Sequence, residues 1–486
     1  MEARSDAEGV RFGTDGWRGV IARDFTFDNV ARVAQAIADF LRSDIRSSDP
    51  IYIDWQSDCR DASHGVVIGY DTRFLSEAFA LHCAAVLQQN GIPVVVSNPF
   101  VPTPAVSYGV VHRQAAMGVV ITSSHNPPEY SGLKIKAEYG GSAPESITKE
   151  VESRLPARAP SVASSEVERV DLITPYMARI EELIDRDRLT ASPIHIVIDS
   201  MYGAAQGLVA RFLGASDVSH TSIRETVDVM FGGHGPEPLE KNLEPLRDAV
   251  LAARGAGRRA IGVVTDGDGD RVSAMDENGR FIDAHRTYAL ILRYLVEERG
   301  WRVPIVVSFN LSDLIRRMAS AYDLEVIETP IGFKYAAEQI VKRDILMAGE
   351  ESGSFAVRGH IPERDGVFLS LLLAEILATS DKRASDLVAS LHDEFGPQTY
   401  ARRDLHVEER LEIVAALNAS PPDRFAGRSV RSVETLDGVK LRFEDGWLLF
   451  RASGTEPILR VYCEMTTEKD VQQVLDAAVQ LARGDE

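Results

Sequence analysis

AIGVVTDGDGDR, residues 260–271, decides how this chain is read. Its apolar first half has the unbroken character of a strand buried on both faces. The run stops abruptly at a loop in which Asp266, Asp268 and Asp270 alternate with glycines. The pattern recurs. AMGVVIT (116–122) runs into SSHNPPEYSGLK (123–134), LMA (346–348) into GEESGS (349–354), and WLLF (447–450) into RASGTEP (451–457). In α/β sheets ligands bind beyond the carboxyl ends of strands, which is where three of these loops should lie.

Working outward, strand and helix signals alternate. Val30, Val33, Ala34, Ile37 and Leu41 fall at helical spacing, with Asp28 as a cap candidate. GVVIGY (65–70) reads as a buried strand, 77–89 as a helix closed by Gly91, and 92–97 as another strand. Further strands are expected at 194–199, 304–309 and 324–328. This rhythm indicates layered α/β domains. At 486 residues the chain exceeds one compact core. The Pro-, Ser- and Ala-rich stretch 154–168, the break near Pro397 and the loop 421–427 suggest boundaries. The expected division is 1–165, 166–282 and 283–396, all α/β, and a smaller α+β unit over 397–486 that ends in a helix at 469–481. Residues 42–64 read as an insertion without evident chemistry, and periodicity shows no clear internal repeat.

Composition narrows the class. Hydrophobic residues make up 44% and charged residues 26%, ordinary for a soluble protein. No apolar run approaches the roughly 20 residues of a membrane span, and residues 1–9 lack an apolar signal core. Cys59, Cys83 and Cys463 form no CxxC pair, which fits a reducing compartment, with Cys83 in a core. A cytoplasmic protein, monomer or homodimer, is expected. The net charge of −20 argues against nucleic-acid binding but not against an anionic small molecule held by a few clustered cations.

The loops carry the chemistry. Three carboxylates at alternate positions suit Mg²⁺, which takes hard oxygen ligands at about 2.0–2.1 Å and leaves room for a phosphate oxygen. A solvated acidic turn is the bland alternative; a loop following a buried strand and closing on Arg271 argues against it. Two prolines keep SSHNPPEYSG out of helix and central strand. It is expected to be an exposed, stiffened loop presenting Ser123, Ser124, His125 and Lys134. A hydroxyl nucleophile needs a base or metal to activate it, yet alone a Ser-Ser-His loop reads as a turn. RASGTEP offers a guanidinium, two hydroxyls and a glycine, the equipment of a phosphate cradle or merely of a Ser-Gly turn. GEESG offers groups suited to sugar hydroxyls, though by itself it is little more than a surface turn.

Taken in order, FGTDGWRG (12–19), TSSHNPPEYSGLK, DGDGDR, GFK (332–334), GEESGS and RASGTEPILRVY closely resemble the α-D-phosphohexomutase superfamily over residues 12 to about 480. The resemblance implies three α/β domains and an α+β domain around a central cleft. It implies that Ser124 carries a phosphoryl group, and that Asp266, Asp268 and Asp270, with the Ser124 phosphate, hold Mg²⁺. Arg18, Lys134 and Arg271 would lie near the phosphoserine, Glu350 and Ser352 would bind sugar hydroxyls 3 and 4, and Arg451, Ser453, Gly454 and Thr455 the distal phosphate. The implied reaction interconverts hexose 1- and 6-phosphates through a hexose 1,6-bisphosphate that turns around in the cleft and also activates the enzyme. Either Lys134 or Lys334 would serve as base. Relatives with broad mannose and glucose activity have GHS where this chain has GFK, and His where it has Ser354, so Lys334 is expected to bind substrate. GFK and GEESGS look more like phosphoglucomutases than phosphoglucosamine mutases, which favours glucose, with phosphomannomutase or dual specificity as alternatives. From a different class, a Mg²⁺-dependent sugar phosphatase would release inorganic phosphate and would have no need of the RASGTEP cradle.

Overall fold

The computed structural model describes residues 9–13, 16–43, 60–163, 166–215, 218–454 and 457–483. The apolar runs become the centres of sheets. In the first, Val66–Tyr70 lies between parallel Val94–Ser97 and Met117–Ile121, and Glu168–Val170 adds a parallel edge. The first sheet therefore runs past residue 165. Tyr130–Ala137 then folds back antiparallel on Met117–Ile121.

The second and third sheets repeat this arrangement. Ile194–Asp199 pairs in parallel with His220–Ile223 and Arg259–Thr265, on which Val272–Met275 returns antiparallel. Ile305–Ser308 pairs in parallel with Val326–Thr329 and Met347–Gly349, on which Phe355–Val357 returns antiparallel. In all three sheets a buried parallel strand thus ends in a hairpin, and the three hairpin loops are the Ser124, DGDGDR and GEESGS loops. A repeat that periodicity did not reveal is present in the backbone, although the three hairpin loops differ in sequence.

The fourth unit is a five-stranded antiparallel sheet, Thr399–His406, Ile458–Met465, Gly446–Ala452, Val439–Arg442 and Ser432–Glu434, with the helix Glu468–Arg483 packed on it. Three α/β units and one α+β unit are therefore present, as the sequence led us to expect.

The helix Phe27–Leu41 buries the expected apolar stripe. Its cap is Thr26, whose hydroxyl accepts from the Asn29 amide at 3.2 Å. Asp28, the expected cap, falls in the first turn, where its charge complements the helix dipole.

Contacts between units fix the loops relative to one another. Lys136 and Glu363 form a fully buried ion pair of 2.5 Å between the first and third units; breaking such a pair costs about 3–5 kcal/mol. Phe309 of the third unit packs with Trp447, Leu449 and Tyr462 of the fourth. Over that cluster Lys440 lies 3.8 Å from the Phe309 ring centroid and donates to the Phe309 carbonyl.

Cys83 and Cys463 are free and buried. Cys59 and most of the 42–64 insertion lie outside the described residues. Among the described residues no helix is long and apolar enough to cross a membrane.

Candidate active site

The first hairpin loop departs from expectation: Ser123 and Ser124 are buried, not exposed. The reason is Arg73, which follows the strand Val66–Tyr70. Its guanidinium donates to the carbonyls of Ser124 (2.6 Å), Asn126 (2.7 Å), Pro127 (2.9 Å) and Tyr130 (3.0 Å), and to Asp71 Oδ2 (3.1 Å). Asp71 in turn accepts from Thr122 Oγ1, which accepts from the Ser124 amide. So held, Ser124 adopts a left-handed backbone with φ 51°, a conformation of higher energy for an L-residue.

Ser124 Oγ donates to Asp266 Oδ2 at 2.7 Å. The metal loop reaches it because Gly267 lacks a side chain: a Cβ there would stand 2.5 Å from the Ser124 carbonyl oxygen. His125 Nδ1 is 3.3 Å from Ser124 Oγ. Burial and the positive charges of Arg271, Arg18, Lys134 and Arg73 hold this imidazole well below its ordinary range, so it is neutral. Arg18 donates to Asn126 Oδ1 at 2.9 Å, at the edge of the same loop.

Asp266, Asp268 and Asp270 are buried, with one ligand oxygen from each within 4.8 Å of the others. Burial, together with Asp268 and Asp270, pushes Asp266 well above the usual carboxylate range. Burial acts the same way on Asp268, but Lys134 and Thr103 outweigh it and hold that group low. Lys134 donates to Oδ2 of both Asp268 and Asp270 at 2.8 Å, Thr103 Oγ1 to Asp268 Oδ2 at 2.6 Å, and Arg364 lies 2.7 Å from Asp270 Oδ2. The Oδ1 atoms of Asp268 and Asp270 have no partner among the described residues. Buried, unpartnered carboxylate oxygens in a cluster fit a hard divalent cation such as Mg²⁺. Arg271 Nε lies 4.0 Å from Asp266 Oδ2 and completes the ring of cations.

Glu350 is buried and accepts from the Gly332 amide at 2.7 Å. Burial raises its pKa against the pull of Arg364, the Gly332 amide and Arg271. Ser352 Oγ donates to Ser354 Oγ at 2.9 Å. Lys334 is not free: its ammonium donates to Glu145 of the first unit at 2.8 Å, spanning the space between the two units. In the fourth unit Arg451 Nε donates to Asp437 Oδ1 at 3.0 Å, and Ser453 is anchored through its amide to the Ile458 carbonyl at 2.8 Å. Gly454 follows in an open position, while Thr455 lies outside the described residues.

Four supporting residues escaped the sequence reading: Arg73, Thr103, Arg364 and Asp437. Only Arg73 left a usable signal. An Asp-Thr-Arg run directly after the buried GVVIGY strand is a further carboxyl-end loop carrying charge.

Comparison with known proteins covers all four units. Models of the phosphoglucomutase/phosphomannomutase α/β/α domains I, II and III match residues 9–160, 174–279 and 283–395, and the model of the C-terminal domain matches 404–481. A phosphoglucomutase/phosphomannomutase of Thermococcus kodakarensis is 30% identical over 97% of this chain and 98% of its own. A phosphoglucosamine mutase of Levilactobacillus brevis is 28% identical over 98% of each. The crystal structure of a putative phosphomannomutase from Thermus thermophilus superposes with a TM-score of 0.84 at 33% identity, covering 98% of this chain and 99% of that one. These matches make the chain an intramolecular phosphotransferase acting on hexose phosphates. The chain belongs to the phosphoglucomutase/phosphomannomutase family.

Proposed function

We propose that this enzyme interconverts glucose 1-phosphate and glucose 6-phosphate by way of a phosphorylated Ser124 and a glucose 1,6-bisphosphate. The observation that carries the reading is Ser124 Oγ, 2.7 Å from Asp266 within a buried carboxylate triad. Asp266, Asp268 and Asp270 would hold Mg²⁺, which when bound supplies positive charge to offset that of the transferring phosphoryl group.

The chain's own groups do the rest. Arg451 and Ser453 bind the phosphate already on the sugar, and Glu350 and Ser352 orient its hydroxyls. The free sugar hydroxyl oxygen attacks phosphorus, its bond to Ser124 Oγ breaks, and the hydroxyl proton passes to a base. Sequence left Lys134 and Lys334 as base candidates. Each now has carboxylate partners, and His125 joins them as a neutral nitrogen beside Ser124 Oγ. After the bisphosphate turns around, its other phosphoryl group returns to Ser124. Burial of Ser124 restricts competing water, which favours transfer to sugar over phosphatase chemistry.

Glucose follows from the GFK and GEESGS loops. The relatives' names divide between glucose/mannose and glucosamine, so the sugar is the open choice. The test is a comparison of kcat/KM for glucose, mannose and glucosamine 1-phosphates, with mass spectrometry of Ser124 and the Ser124→Ala variant alongside. We expect glucose to be preferred, mannose to be turned over, one phosphate on Ser124, and the alanine variant to be inactive. Preference for glucosamine would overturn the sugar assignment, and full turnover by the alanine variant would remove Ser124 from the reaction.

A further inference from the structure

Arg451 is held by one carboxylate that also does something else. Asp437 accepts from Arg451 Nε at its Oδ1 (3.0 Å) and from the Ile331 amide at its Oδ2 (2.8 Å). Arg451 and Asp437 belong to the fourth unit, whereas Ile331 belongs to the third and immediately precedes Gly332, whose own amide donates to Glu350. A short polar path therefore runs from the phosphate-cradle arginine, through one side chain, to the backbone that orients the sugar-loop glutamate.

The local fold is built to allow this. Asp437 sits in the turn between Ser432–Glu434 and Val439–Arg442, followed by Gly438 at φ +103°. A Cβ at Gly438 would collide with the Phe450 carbonyl and come within 3.2 Å of Arg451 Cα, so only glycine lets the turn lie against the strand that carries Arg451. Asp437 binds Arg451 through Nε alone, and the two terminal nitrogens make no hydrogen bond among the described residues. A guanidinium fixed by Nε keeps its terminal pair for a phosphate. Beside this contact, Ile331 packs on the Phe309–Trp447–Leu449–Tyr462 cluster, so the turn and the third unit meet on a firm apolar seat.

We propose that Asp437 is a positioning residue that sets the Arg451 fork and, through Ile331 and Gly332, registers the distal phosphate site against Glu350. This rests on Arg451 binding the sugar's existing phosphate. Substrate length, from phosphate to the hydroxyls, would then be measured across a joint between two units to which this carboxylate contributes the link nearest Arg451.

Asp437→Asn keeps the shape but presents one acceptor oxygen where two donors converge; Asp437→Ala serves the same comparison should the asparagine disturb folding. Glucose 1-phosphate binding would be measured by calorimetry, and kcat and KM by turnover, for Asp437→Asn, Arg451→Met and the double variant, with thermal melting as a control. We expect Arg451→Met to weaken binding at least about tenfold, Asp437→Asn about tenfold, and the double variant no more than Arg451→Met alone, with melting unchanged. If Arg451→Met binds normally, the phosphate site itself is misplaced. If Arg451→Met is impaired while the Asp437 variants bind and turn over normally, the positioning role is wrong and the phosphate site stands. Additive losses accompanied by lower melting would reduce Asp437 to a structural contact and overturn the proposal.

Discussion

Replacing Arg73 by methionine should open the Ser124 loop without unfolding the chain. The guanidinium holds four loop carbonyls and Asp71, and it also lies 4.9 Å from the Phe231 ring centroid. Asp71 keeps its bonds to the Arg73 amide, Ser76 and Thr122 but loses its only cation contact among the described residues. Leaving a buried carboxylate without its ion partner costs about 3–5 kcal/mol. Because the four carbonyl contacts all fall within residues 124–130, the cost appears as local opening of that loop, not as loss of the buried apolar clusters beneath it. At about 1.4 kcal/mol per factor of ten, the opening equilibrium of the loop rises by about a hundredfold to a few thousandfold. Hydrogen exchange of peptides covering residues 123–130 reports this directly, beside kcat and the extent of Ser124 phosphorylation. Exchange should accelerate, and phosphorylation and kcat should fall steeply, while strands of the second and fourth units keep their protection. Normal exchange and normal kcat in Arg73→Met would refute the claim that this side chain holds Ser124 in place.

Thr103→Val should weaken Mg²⁺ binding about tenfold to a hundredfold by freeing Asp268 Oδ2 from its 2.6 Å hydroxyl contact; unchanged affinity by calorimetry would exclude Thr103 from the metal centre. Burial, aided by Asp313, pushes Glu464 up to about 7 from 4.5, so the folded state binds a proton that the unfolded state has released. Its contribution is present below the unfolded value and lost as pH rises through about 7, a change of about 3 kcal/mol that Glu464→Gln should abolish in urea unfolding compared at about pH 5 and about pH 8. Trace glucose 1,6-bisphosphate should restore activity to enzyme stripped of its Ser124 phosphate, and full activity of stripped enzyme without a lag would count against the bisphosphate route.

The parts legible in the sequence were those whose signal is local. A buried strand announces itself as an apolar run, and a loop that interrupts it with Asp266, Asp268 and Asp270 shows where chemistry collects. Ser124 could be found in this way, but its burial could not, because the covering group is Arg73, about fifty positions upstream. Thr103 and Arg364, unlike Arg73, leave no signal at all. Each is an ordinary polar residue in its own segment and meets the metal loop only once three units have docked. Lys334 shows the converse: its motif pointed to the substrate, whereas its present partner, Glu145, comes from a helix with no catalytic pattern. Asp437 hid in a turn sequence that reads as nothing more than a hairpin connection.

The origin of the cations around the aspartate triad has a consequence for how the protein is made. Lys134 is synthesised before Asp266, Asp268 and Asp270, but Arg364 nearly a hundred residues after them. A nascent chain that has completed its second unit therefore carries three clustered carboxylates with Lys134 and Arg271 but not yet the Arg364 partner of Asp270. A chain ending short of Arg364 would keep intact the Ser124 and DGDGDR sequences while lacking the arginine that pairs with Asp270.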